Sequence, residues 1–166
     1  ALNNQKQGIG FIMDEPERFL IVEARFYGDI ADALVEGATQ VLDAAGVAYD
    51  RLEVPGVFEV PAAIQFAVKA NLTPAASPKY SGYIALGCVI RGETDHYDHI
   101  CRETSRSLMD LAVMGGATLG FGIITCENSK QAWARASADK KNVGGSSAKA
   151  CLRMNDVKKK YHYNQK

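Results

Sequence analysis

The stretch GYIALGCVIRGETDHYDHI, residues 82–100, decides how the chain is organised. Its first part, Gly82–Ile90, is an uninterrupted apolar run. At strand length and bounded by turn residues, such a run marks a β-strand buried on both faces. After Ile90 the character changes to the charged, hydroxyl-bearing RGETDH, and then Ile100, Leu108, Leu111 and Ala112 recur at helical spacing to about Met114. A buried strand running straight into an amphipathic helix is the repeating unit of a parallel sheet.

The same unit recurs on either side. RFLIVEA (Arg18–Ala24) is a second buried run. It is followed by Ile30, Ala33, Leu34, Gly37, Ala38, Val41, Leu42 and Ala45, which lie on one helix face, with Asp29 expected at the N-cap and Gly46 as the stop. YDRLEV (49–54) reads as a strand, and Pro61 suits the first position of a helix through Ile64, Ala67 and Val68. NLTPAASPKY is a proline-bearing loop. TLGFGIIT (118–125) is a fourth strand, Asn128 and Ser129 are expected to cap a helix around Trp133, and KKNVGG is expected to break that helix before a last one from about Ser146. Alternation of this kind predicts an α/β fold, a three-layer α/β/α sandwich of flavodoxin-like type with a four-stranded parallel sheet and right-handed crossovers. Four strands are too few for a barrel. A single domain is expected over 18–166, behind an N-terminal arm at 1–17.

The 166 residues suit one core. Lys plus Arg and Asp plus Glu number 19 each, so nucleic-acid binding has no electrostatic support. The basic VKKKYHYNQK reads as a solvated helix end. No apolar run approaches the ~20 residues of a membrane span, and ALNNQKQGIG lacks the apolar core of a signal peptide. A soluble cytoplasmic protein with neither a membrane nor a nucleic-acid partner is the expectation. Cys88, Cys101, Cys126 and Cys151 form no CxxC pair and are expected to be reduced core thiols.

In open parallel sheets, ligands bind beyond the carboxyl ends of the strands. The loops there read RFYGD, PGVFEVP, RGETDH and CENS. None has the G-x-G-x-x-G of a dinucleotide site, nor the hydroxyl-rich phosphate loop that a flavodoxin-like electron carrier requires after strand one. Phe26 and Tyr27 suit either core packing or a stacking platform for a flat heterocycle. Glu59, among apolar residues, must face water or meet hydrogen-bond donors. At the third helix, Thr94 or Asp95 could act as a cap alone, or the backbone of Gly92, Glu93 and Thr94 could bind an anion such as phosphate. His96 and His99 at i, i+3 could share a metal, but the sequence has no third-ligand pattern, and a first-turn histidine beside an anion site suits proton transfer.

VPGVFEVP, ALGCVIRGETDHYD, FGIITCEN and ARA followed by GG resemble, in the same order and spacing, the signature segments of the 6,7-dimethyl-8-ribityllumazine synthase family of riboflavin biosynthesis. The resemblance runs from Phe19 to about Met154. It implies a cofactor-free, metal-free condensation of 5-amino-6-(D-ribitylamino)uracil with L-3,4-dihydroxy-2-butanone 4-phosphate, releasing phosphate and water. Phe26 matches the aromatic that stacks on the pyrimidine, and Val57, Phe58 and Glu59 match the loop holding ring and ribityl chain. Cys88, Val89 and Ile90 match the strand end facing the ring, Glu93 and Thr94 the phosphate cradle, and His96 the proton-transfer histidine. Phe121 and Arg135 match residues reaching in from a neighbouring subunit, the arginine gripping phosphate. The family's ring is a pentamer, and some relatives stack twelve into a shell of sixty subunits. Here SADKKNV replaces the glycine- and lysine-bearing turn and puts Val143 where relatives often have lysine, so an isolated homopentamer is expected, with a decamer or shell as the alternative. A relative that binds flavin or lumazine without turnover is the other reading, against which the presence of both His96 and Arg135 argues.

Overall fold

The computed structural model describes residues 16–75 and 79–161. The expected N-terminal arm lies almost wholly outside them, as does the end of the basic tail. Four parallel strands, β1 (Arg18–Ala24), β2 (Ala48–Val54), β3 (Gly82–Ile90) and β4 (Leu119–Cys126), form one sheet in the order β2-β1-β3-β4. Five helices surround it: α1 (Gly28–Ala45), α2 (Val60–Asn71), α3 (His96–Val113), α4 (Ser129–Ala136) and α5 (Val143–Lys160). The register runs from Arg18 opposite Ala48 to Ala24 opposite Val54, and from Tyr83 opposite Leu119 to Ile90 opposite Cys126.

Alternate side chains of the strands feed two cores. Phe19, Ile21, Ile84 and Leu86 pack with Leu34 and Leu42 of α1 and with Ala148 and Cys151 of α5. Leu20, Val22, Tyr83 and Ile123 pack on the opposite face with Ile64 of α2 and Leu108 of α3. This is the expected α/β/α sandwich. The two central strands, β1 and β3, are buried on both faces, as their continuous apolar runs imply, whereas β2 at the edge exposes Arg51, Leu52 and Glu53.

Three local expectations are corrected. Asp29 does not cap α1; the helix begins a residue before it, at Gly28, with Tyr27 at the N-cap, and Asp29 supplies a favourable charge in the first turn. Pro61 is the second residue of its helix, after a 3-10 turn at Val57–Glu59. The last helix starts at Val143, so Gly144 and Gly145 lie inside it. Asn142 provides the break instead: it takes a left-handed conformation (φ 48°) and its Oδ1 accepts from the Gly145 amide at 3.0 Å. Gly144 is there for proximity, and Gly145 leaves room for the Asn142 side chain. A Cβ on Gly144 would fall inside the van der Waals radius of the Leu34 carbonyl oxygen on α1. The C-terminal signal at Gly46 holds, with φ 68° and its amide bonded to Asp43 O.

Helix propensity favours alanine over glycine by about 1 kcal/mol, but the α1–α5 contact reverses the sign. Gly144→Ala should destabilise the protein by roughly 2–3 kcal/mol. Gly92 has no atom within 4 Å of an added Cβ, and Gly92→Ala should stay within about 0.5 kcal/mol of the parent. Denaturant unfolding of both variants checks the contrast.

Candidate active site

The strand order places a reversal between β1 and β3. The chain leaves β1 for α1 on one face and leaves β3 for α3 on the other. A cleft of ≈ 640 Å³ opens there, at the carboxyl ends of β1, β2 and β3. Phe26, Val57, Phe58, Glu59, Cys88, Val89, Ile90, Thr94 and His96 all line it.

The first loop resolves the two aromatics. Tyr27 packs against the α1-side core, while Phe26 is 74% exposed and faces the cleft, edge-on to Tyr27 with ring centroids 5.0 Å apart. A large aromatic left in water at a strand's carboxyl end is a surface for a flat ligand rather than core. The second loop is held from below by Val57, which is buried beside Gly87, while Phe58 and Glu59 stay exposed above it. Glu59 therefore takes the first of its two alternatives and faces water, ready to accept from hydroxyl or amide donors.

At the third loop the capping account explains little. Asp95 occupies the N-cap position of α3 without a side-chain bond to the helix backbone, and its carboxylate lies 3.2 Å from His99 Nε2 instead. Thr94 Oγ1 accepts from the His96 amide at a long 3.4 Å. The helix start thus faces the cleft without a close side-chain cap on its backbone amides, which leaves them available to an anion, while Asp98 in the first turn meets the dipole and is itself held by Arg91. His96 is the first residue of the helix and is exposed. His99 turns to Asp95, and among the described residues no group of three or more His, Cys, Asp or Glu is arranged to hold a metal ion.

Cys88 is buried at the cleft wall, and burial, with the neighbouring Cys126, pushes its thiol up to about 12. It can wall the ligand but cannot supply a thiolate near neutrality. Cys126 and Cys151 are also buried and raised, again by burial first, while Cys101 is only partly buried.

Three of the sequence-identified residues are not in this cleft. Glu93 is exposed in the loop beside Thr94. Phe121 lies on the uncovered side of β4, half exposed, and Arg135 sits in the last turn of α4, donating from Nη1 to Gln131 O at 3.1 Å. Sequence reasoning missed Arg91 and Tyr97. The guanidinium of Arg91 stacks 4.2 Å over the Tyr97 ring and pairs with Glu127 at 3.0 Å and Asp98 at 3.3 Å, tying the start of α3 to the β4–α4 loop. Tyr97 itself lines the cleft. Only its place next to His96 in the helix's first turn could have signalled it.

An open, doubly wound α/β protein with a preformed cleft at its strand reversal, one wall aromatic and the other a helix start, has the form of a small-molecule-binding protein. Sequence comparison narrows the class: a model of the 6,7-dimethyl-8-ribityllumazine synthase family matches residues 16–159, and the chain belongs to that family. It is 54% identical to the 6,7-dimethyl-8-ribityllumazine synthase of Afipia carboxidovorans, with 86% of each chain covered. It is 51% identical to that of Agrobacterium fabrum, covering 89% of this chain and 98% of the other. With 6,7-dimethyl-8-ribityllumazine synthase 1 of Rhizobium meliloti the identity is 49%, over 88% and 94%.

A thiol raised to about 12 is ~10⁻⁴ ionised at pH 8. Iodoacetamide at that pH should leave Cys88 unmodified in the folded protein and label it after denaturation. Peptide mass spectrometry reads both states.

Proposed function

We propose that the protein condenses 5-amino-6-(D-ribitylamino)uracil with L-3,4-dihydroxy-2-butanone 4-phosphate to give 6,7-dimethyl-8-ribityllumazine, phosphate and water. The observation that carries this reading is the convergence of an exposed aromatic, an exposed carboxylate, a helix start and an imidazole from three separate loops on one cleft. Each element matches a different part of the two substrates.

In this reading Phe26 stacks on the pyrimidine, while Val57, Phe58 and Glu59 hold the ring and the ribityl hydroxyls. The strand end at Cys88, Val89 and Ile90 lies alongside the ring, and Glu93 and Thr94 form the phosphate cradle with the start of α3. The pyrimidine's primary amine attacks the ketone and loses water to give an imine. Phosphate is then eliminated to leave an enol that tautomerises to a ketone, and the ribityl-bearing nitrogen attacks that ketone and expels a second water as it closes the second ring. His96 is the group that moves protons in these steps, since an imidazole can both accept and donate near neutral pH. Holding the two substrates together supplies most of the rate. The chemistry requires no cofactor or metal.

Phe121 and Arg135 are proposed to complete the cleft of an adjacent copy, the arginine binding phosphate through its guanidinium fork. Exposed Phe121, Met109 and Met114 and an apolar hollow of ≈ 320 Å³ between α3 and β4 support an edge made for contact. Heterologous contacts of this kind close into rings, and we favour a homopentamer. Among the described residues no helix is long and apolar enough to cross a membrane. Free thiols suit a reducing compartment, so the cytoplasm is the expected location.

Mixing the protein with both substrates should generate the fluorescent lumazine. Ligand binding without product would favour the flavin- or lumazine-binding reading instead. His96→Ala should lower turnover by ~10²–10⁴-fold with substrate binding retained; an unchanged kcat would remove His96 from catalysis. Arg135→Ala should raise KM for the butanone phosphate far more than for the pyrimidine, whereas equal rises would point to a folding defect. Light scattering should give the mass of five chains, and a fully active monomer would overturn the shared site.

A further inference from the structure

Beneath the cleft lies a carboxylate that none of these roles uses. Glu23, near the end of β1, follows Phe19 and Ile21 on the α1 face of the sheet and is 0% exposed. A lone charge there would be strongly destabilising, and it is met by donors instead. Arg51 on β2 grips it in a fork, with Nε 2.8 Å from Oε2 and Nη2 2.8 Å from Oε1, and Arg25 Nη1 approaches Oε1 at 3.3 Å. The other arm of Arg25 reaches Asp32 on α1, Nη2 to Oδ1 at 2.8 Å. Its backbone amide donates to Val54 O at 3.0 Å, where the PGVFE loop begins.

Stability by itself does not require this arrangement, because apolar residues of similar volume often serve a buried site as well as an ion pair does. The neighbour in sequence offers a reason. Phe26 is largely in water, and apart from Tyr27 no ring lies against it among the described residues. Its position is therefore decided by its main chain, which Tyr27 pins on the core side and Arg25 on the side of the ion pairs.

We propose that Arg25, held between Glu23 and Asp32, is a positioning residue that fixes how Phe26 is presented to the planar substrate. The inference rests on the reading of Phe26 as the stacking residue. Loss of the pin lets the platform move, so the ordering that the fold now supplies in advance must be supplied on binding. Affinity for the pyrimidine falls, while the phosphate end of the cleft, built from β3 and α3, is untouched.

The test uses the full chain with Arg25→Ala, Arg25→Lys and Asp32→Asn, varying each substrate in turn. Arg25→Ala leaves Glu23 in the Arg51 fork. It should raise KM for the ribitylaminouracil ~10-fold, about the effect of losing part of an aromatic–base stack, with kcat and KM for the butanone phosphate within ~2-fold. Lysine, able to reach one carboxylate, should restore part of the loss. Asp32→Asn should show the same selective change at smaller size, and it carries the test if the alanine variant does not fold. Independently of turnover, amide exchange over residues 25–28 should quicken in Arg25→Ala while the first turn of α3 keeps its rate. An unchanged KM for the pyrimidine, an equal rise for both substrates, or unchanged exchange at 25–28 overturns the proposal. A wild type that makes no lumazine defeats the assigned reaction instead, and the exchange measurement then decides the positioning role alone.

Discussion

Parallel strands must be joined by crossovers, and crossovers are right-handed. In a sheet ordered β2-β1-β3-β4, that single constraint sends α1 to one face and α2 and α3 to the other. The connections after β1 and β3 part company at the carboxyl end, and the space between them is the cleft. Nothing in the cleft has to be carved out of the core. The aromatic of the first loop, the acid of the second and the helix start of the third come together because the connections converge there.

The rigidity of this frame comes from close backbone approach on the α1 face. Gly144 lets α5 lie against the Leu34 carbonyl of α1, and a Cβ on Gly120 or Gly122 of β4 would meet Ser147 of α5. On the opposite face the helices are sparser. They leave Phe121 and the outer side of β4 uncovered, although the strand is otherwise well buried. One face of the sheet is thus closed by the chain itself, and the far edge of the other presents apolar surface.

Electrostatics divide the site along the same lines. Polar groups that face the cleft, such as Glu59 and His96, remain in contact with water and free to engage a ligand. Charges below it, such as Glu23, are paired. The Cys88 thiol is kept neutral by burial, which leaves that wall of the cleft inert. Arg91 bridges α3 to the β4–α4 loop through an aromatic face and two carboxylates, connecting the turn that bears His96 to the segment that leads into α4.

The sequence by itself determined which segments are strands and which are helices, and with them the sandwich, because apolar runs of strand length bounded by turn residues alternate with segments of 3.6-residue spacing; the helix starts were decided by the structure. Gly82–Ile90 is read to the residue. Where a residue type serves two purposes, the sequence left the choice open. Gly144 reads as a breaker and is a packing residue, since only the neighbouring helix reveals the need for a missing Cβ, and Gly145 lies under the Asn142 cap. Phe26 and Tyr27 are adjacent and chemically alike, and the turn between β1 and α1 alone decides that one packs on the core and the other faces the cleft. The Arg25–Glu23–Arg51 cluster joins residues 28 apart in the chain, and Arg91 meets Glu127 across 36. Such pairings carry no local period, because they are fixed by strand register and crossover direction, so tertiary structure decided them.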